Sequence, residues 1–323
     1  MKKLLSLILA LTLLVTALSS CSLFDTDNGG ASNGDTENVK INIGVMSGPT
    51  GMGMAKLMND NAGNEENYSF KVYSDPTIGT TDLIAKDLDM LCLPTNAAAN
   101  LSKKSDVSVI AINCLGSLYL LTDSDNTITS INELEGKTIY TSVPTSTTKP
   151  IIDFILKKNN VNATIEVVSD HDSLVKMLAT GEAPIAILPE PKVTAALSAN
   201  KSYSVALNLS EEWSNVSDTP LTMGCIVVRN EFLNDYKSAV DKFLTEYKAS
   251  IEYVGDRKNK DSAAQMIVDA GVLPKLGVAK GALGNLYGSI IYQDGAEMKA
   301  SLLGFYDAIG LARPADSFYY EKK

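Results

Sequence analysis

Residues 39–51 read Val39-Lys40-Ile41-Asn42-Ile43-Gly44-Val45-Met46-Ser47-Gly48-Pro49-Thr50-Gly51. The first eight alternate and are rich in β-branched side chains, which predicts a strand. Ser47 to Gly51 is turn chemistry, and the run 52–59 has helical character. The unit then repeats: 69–74 predicts a strand, 80–88 a helix, and 89–93 a third strand that breaks at Pro94-Thr95-Asn96 before an Ala-rich helix. Residues 107–121 are apolar and broken near Gly116, which is room for two strands. The pattern restarts after a short helix at 132–135. Strands at 138–143, 164–169 and 184–188 alternate with helices at 150–158, 171–179 and 193–199. Strands at 205–209 and 221–228 follow, and from Glu231 onward the chain reads as mostly helical, with helices at 234–254, 262–269 and 296–309. Strand–helix alternation through short turns implies an α/β protein with largely parallel sheets in two similar halves.

Upstream, Met1-Lys2-Lys3 precedes an apolar run over 4–14 and then Leu18-Ser19-Ser20-Cys21. A short basic start, an apolar stretch too short to span a bilayer with comfort, and small residues before a cleavage point describe a secretory signal peptide over 1–20. The small pair followed at once by Cys21 resembles the lipobox of bacterial lipoproteins. The resemblance implies a lipidated Cys21 and an extracytoplasmic protein held on the cell membrane by acyl chains. Residues 22–38 are rich in Asp, Asn, Gly, Ser and Thr and cannot bury enough apolar surface to order, so 21–38 is expected to be a flexible tether.

The chain of 323 residues carries 38 acidic and 28 basic side chains. No basic stretch of the mature part suits phosphate neutralisation, which argues against nucleic acid as a partner and against electrostatic binding to anionic lipid. Cys92, Cys114 and Cys225 sit among apolar or small neighbours and read as buried thiols; a Cys92–Cys114 bridge between neighbouring strands is the alternative. Ser146-Thr147-Thr148-Lys149 and Ser173-Leu174-Val175-Lys176 both match S-x-x-K, but no Lys-Thr-Gly partner accompanies them. Gly136-Lys137-Thr138 lacks the upstream glycine of a phosphate loop, since Ile131 stands there. His171 is the single histidine, too few for imidazole metal clusters or most Ser-His and Cys-His mechanisms. No catalytic residue, metal or cofactor is therefore expected.

A lipobox, a polar tether and two α/β lobes, the first interrupted by the second, resemble the solute-binding lipoproteins of ABC importers. The nearer resemblance is to the sulfonate, nitrate and thiamine-precursor binding branch, with the periplasmic-binding-protein type 2 fold. It is carried by Ile43-Gly44-Val45 running to Gly48-Pro49-Thr50-Gly51-Met52-Gly53, by Leu93-Pro94-Thr95-Asn96-Ala97, and by the run from Asn132 to Ile139. Ala186-Ile187-Leu188-Pro189-Glu190-Pro191 and the tail around Asp294–Lys299 and Gly304-Phe305-Tyr306 complete it. The resemblance implies lobe 1 from 39–122 and 223–323, lobe 2 from 123–222, and a hinge of two strands crossing near 122–126 and 219–222. It further implies a monomer that closes over a small-molecule ligand and docks on permease subunits of an ABC importer.

Ligands of open α/β sheets bind beyond the carboxyl ends of strands, where helix N-termini present free N–H groups. Four loops qualify, and they nominate Ser47, Thr50, Gly51, Met52, Thr95, Asn96, Ser146, Thr147, Thr148 and Glu190 as ligand-binding residues. Ser, Thr and Asn before helices also serve simply as N-caps. Two readings stand for Glu190: a cleft carboxylate accepting from a ligand donor, or a glutamate stabilising the start of the next helix. Tyr119, Tyr140 and Tyr292 are candidates for a stacking wall or, equally, for core positions.

Overall fold

A computed structural model describes residues 39–322; the signal, tether and Cys21 expectations lie outside the described residues. The first pass runs β1 (Ile41–Met46), α1 (Pro49–Met52), α2 (Ala55–Asp60), β2 (Tyr68–Tyr73), α3 (Pro76–Ile84), β3 (Met90–Pro94), α4 (Thr95–Leu101) and β4 (Val107–Leu115). The second runs β5 (Leu118–Asp123), β6 (Thr138–Ser142), α5 (Thr148–Lys158), β7 (Thr164–Val168) and α6 (His171–Thr180). It continues with β8 (Ile185–Pro189), α7 (Lys192–Ala199), β9 (Tyr203–Asn208) and α8 (Leu209–Ser214). The chain then returns through β10 (Thr222–Arg229), α9 (Asn230–Asp235), α10 (Lys237–Gly255), α11 (Lys260–Asp269), α12 (Leu276–Asn285), β11 (Ile290–Gln293) and α13 (Gly295–Ala308).

Two mixed sheets result, ordered β11-β4-β10-β3-β1-β2 and β7-β6-β8-β5-β9. β1 is parallel to β2 and β3, and β6 to β7 and β8, because helices carry the chain between those strands. The strands next to the crossings, β4, β5 and β10, pair antiparallel with their neighbours. They run through the molecule rather than winding around a helix.

β4 pairs in the first sheet and β5 in the second, so the first crossing falls at Gly116-Ser117. That is upstream of the 122–126 expected, and 118–122 go with the second sheet. Gly116 N donates to Leu221 O at 2.8 Å and Glu190 N to Ser117 O at 2.9 Å, so the crossing is stitched to the return path and to β8. A Cβ on Gly116 would lie 1.6 Å from Ser210 Oγ, so only glycine passes there.

The apolar runs of β3, β4 and β10 are covered on both faces, as their near-continuous hydrophobicity requires. Within this layer the Asp89 carboxylate takes Arg229 at 2.6 Å and Asn42 N at 2.9 Å, tying β1, β3 and β10 at one end. Trp213, fully buried, packs between Phe154 and Phe305 at ring distances of 4.8 and 5.8 Å and donates to Thr219 O at 2.7 Å.

Several elements differ from expectation. The helix placed at 80–88 begins at Pro76, because the Asp75 side chain accepts from Thr77 N and proline suits the first turn. The tail is mostly helical as expected, but it also holds an unforeseen edge strand, Ile290–Gln293, of only four residues, too short to show a period. β10 lies between β3 and β4, so Cys92 and Cys114 are not on neighbouring strands. All three described cysteines are free, and burial pushes the Cys92 and Cys114 thiols up to about 12.

Candidate functional site: the cleft between the sheets

Each nominated loop follows the carboxyl end of a parallel strand: β1 and β3 in one sheet, β6 and β8 in the other. The loops meet in pairs across the gap. Asn96 Nδ2 donates to Thr145 O at 3.4 Å, and Pro191 Cδ lies 3.8 Å from where a Gly48 side chain would begin. Gly48, at φ 91°, sits in the left-handed region and swings the chain off β1 into α1.

Ser47 is exposed, and Thr50, Asn96 and Ser146 are half-buried. Ser146 Oγ also accepts from Thr148 N at 3.4 Å, starting α5. Thr95 is buried; its hydroxyl donates to Thr222 O at 3.0 Å and its carbonyl accepts from Tyr306 OH at 3.1 Å. Thr147 and Thr148 are buried under the first turn of α5. Gly51 and Met52 turn inward: a Cβ on Gly51 would lie 1.8 Å from Met46 O, and Met52 belongs to the core.

Glu190 is 1% exposed. Its carboxylate accepts from Thr194 N at 3.3 Å and Thr194 Oγ1 at 3.1 Å, which makes it the stabiliser of the start of α7. It also accepts from Asn285 Nδ2, whose own carbonyl accepts from Tyr119 OH. Asn285 ends α12, which packs so closely on α7 that a Cβ on Gly281 would lie 2.7 Å from Thr194 Cγ2. Glu190 is thus the centre of a latch between a helix of the tail and a helix of the second sheet. Burial raises its pKa, and the donors of Asn285 and Thr194 oppose that rise. Asn285 and Thr194 were not legible in the sequence. The i,i+4 spacing of Glu190 and Thr194 was the available signal, while α12 was hidden by Gly277, Gly281 and Gly284, poor helix formers in water.

Tyr119 is core, with its hydroxyl spent on Asn285. Tyr140 packs against the core of the second sheet, and Tyr292 meets Tyr247 edge-on at 6.5 Å while donating to Asp294 at 2.9 Å. His171 opens α6, which Asp170 caps through Ser173 N at 2.8 Å, and its Nδ1 is 2.6 Å from Ser142 Oγ. Burial first, then the Lys192 charge, lowers the imidazole pKa. The next residue after Ser142, Val143, holds φ 62°, a costly conformation for a β-branched side chain and a second sign of constraint at this rim. Among the described residues no group of three or more His, Cys, Asp or Glu could hold a metal ion, and no helix is long and apolar enough to cross a membrane.

Solved structures share this arrangement. An ABC transporter protein from Parabacteroides distasonis superimposes with a TM-score of 0.72 at 18% identity, covering 88% of this chain and 99% of that one. The ligand-binding component of an ABC-type import system from Staphylococcus aureus, with zinc bound, gives 0.67 at 13%, covering 87% and 96%. The periplasmic aliphatic sulphonate binding protein SsuA from Escherichia coli gives 0.68 at 13%, covering 88% and 92%. These likenesses establish the two-lobed α/β fold of ABC transporter solute-binding proteins. No curated protein sequence matches the chain. A family model described as VitK2_biosynth, menaquinone biosynthesis, matches residues 55–309, most of the described fold. On that match the chain belongs to the menaquinone biosynthesis family, built on the solute-binding-protein fold.

Proposed function

We propose that this protein captures a small solute between its lobes and delivers it to the permease of an ABC importer. It works as a monomeric lipoprotein anchored through Cys21 on the extracytoplasmic face of the cell membrane. The observation that carries the proposal is the pairwise meeting of strand-end loops from two sheets, Asn96 with Thr145 and Gly48 with Pro191. Ser47, Thr50, Asn96, Ser146 and the backbone donors beside Thr147 and Thr148 are the proposed ligand contacts. Glu190 acts in closure through Asn285, and Thr95 supports the floor.

A second role is favoured by one finding. The family description names a biosynthetic route, and the Ser142–His171 pair at the cleft rim is the nearest thing here to a proton-transfer couple. A third, a sensor acting on a separate membrane partner, uses the same cleft. The test is thermal unfolding of the mature protein against sulfonates, pyrimidines, riboflavin-like rings, amino acids and inorganic anions, with each hit recovered and analysed. A stabilising ligand recovered unchanged supports capture, a converted one supports the enzyme, and no stabilisation removes solute capture. Labelled palmitate incorporated by the native chain and lost in Cys21→Ala tests the anchor.

A further inference from the structure

The three arginines of the chain are placed differently. Arg229 and Arg313 hold the carboxylates of Asp89 and Asp307. Arg257 lies flat on a tyrosine, its guanidinium carbon 3.6 Å from the centre of the Tyr287 ring. A guanidinium stacked by its face keeps its N–H donors in the plane around its edge, free for an acceptor that comes from the side. Tyr287 is 53% exposed, so the stack stands at the surface and not in the core. It forms one wall of a cavity of about 320 Å³ where the end of α10, the start of α11 and the end of α12 meet. That volume is at the lower end of small-ligand pockets. Lys260 is a second wall: a Cβ on Gly284 would lie 3.0 Å from Lys260 Nζ, so glycine at that point lets the ammonium lie against α12.

The charge around this cavity favours an anion. Asp256 is the one acidic residue of its lining, and its carboxylate is engaged in the turn, accepting from Lys258 N at 2.9 Å. Arg257-Lys258-Asn259-Lys260 gathers basic charge at the start of α11, where the helix dipole favours negative charge. Asp261, the acidic side chain of that first turn, is drawn to Lys280 at 2.8 Å. Neither Arg257 nor Lys260 has an ion-pair partner among the described residues. A cation entering the cavity would meet two positive charges. An uncharged ligand would displace water from both without supplying charge-matched acceptors. A carboxylate or phosphate brings oxygens for the guanidinium edge and the ammonium together, and charge-assisted bonds of this kind are the strong ones.

We infer that Arg257, Lys260 and Tyr287 form a binding site for a small oxyanion, a carboxylate or a phosphate, on the helices of the tail. It shares no residue with the four strand-end loops and stands whether or not those loops capture a solute. The test is calorimetric titration of the mature protein with inorganic phosphate, pyrophosphate and malonate at low ionic strength, where screening is weak. The variants are Arg257→Gln, Arg257→Lys, Lys260→Gln and Lys258→Gln. The expected result is binding of at least one probe, phosphates and malonate separating the two oxyanion classes. Arg257→Gln and Lys260→Gln should each weaken it about 10-fold, as for loss of one hydrogen bond to a charged group. Arg257→Lys should weaken it nearly as much, because an ammonium offers no planar fork over the ring. Lys258→Gln removes the same charge from an exposed neighbour outside the cavity and should change affinity by no more than about 2-fold. Full affinity in Arg257→Lys, or an equal loss in Lys258→Gln, would reduce the effect to net charge and overturn the site. Full affinity in both Arg257→Gln and Lys260→Gln would place the anion elsewhere and overturn it as well. No binding of any probe by the native protein overturns it outright.

Discussion

Asn285→Ala removes one of three donors to the Glu190 carboxylate while leaving the bond from Tyr119 to the Asn285 carbonyl in place. Glu190 is only 1% exposed, so water cannot replace the lost donor without opening the contact between α12 and α7. Hydrogen bonds to charged groups contribute about 1.5–3 kcal/mol. The variant should therefore lose roughly that much in urea unfolding at pH 7.5, followed by the fluorescence of the buried Trp213. Expressed as closure, the same energy is about a 10- to 150-fold shift toward the open form. In a Glu190→Gln background the acceptor is neutral, and Asn285→Ala should cost about 0.5–1.5 kcal/mol. The difference between backgrounds is the coupling of the two side chains. Independent sites add within about 0.5 kcal/mol. A cost of Asn285→Ala below that figure in both backgrounds would refute the latch and return Glu190 to a purely local role at the start of α7.

Gly281→Leu should force α12 away from Thr194, enlarging the radius of gyration in X-ray scattering with circular dichroism unchanged; an unchanged radius would show that the helices do not close the cleft. His171 has a folded pKa below its ordinary 6.5, so the stability it contributes is present above 6.5 and lost as pH falls through the lowered value. His171→Asn should flatten that part of the melting-temperature profile between about pH 7.5 and 5, and an identical profile would place the acid sensitivity elsewhere. Cys92, Cys114 and Cys225 should resist a thiol reagent in the native protein and all react in denaturant, because burial disfavours the thiolate; rapid native labelling would contradict their burial.

Local chemistry wrote much of this protein into its sequence. β-branched runs such as 39–46, ended by Ser-Gly-Pro turns, fix strands whatever surrounds them, and alternation with helices fixes the α/β class. The four strand-end loops were legible for the same reason: breakers and hydroxyls mark where a strand stops. What the sequence could not decide was pairing at long range. The crossing at Gly116, the short edge strand at Ile290–Gln293 and the separation of Cys92 from Cys114 by β10 all depend on which strands lie side by side. Glu190 shows the limit most plainly. A carboxylate between two prolines looks alike whether it faces a ligand or a helix, and only packing of α12, about 90 residues further on, brings Asn285 to it. That contact is made by tertiary structure, since no local propensity sets the distance between segments so far apart in the chain.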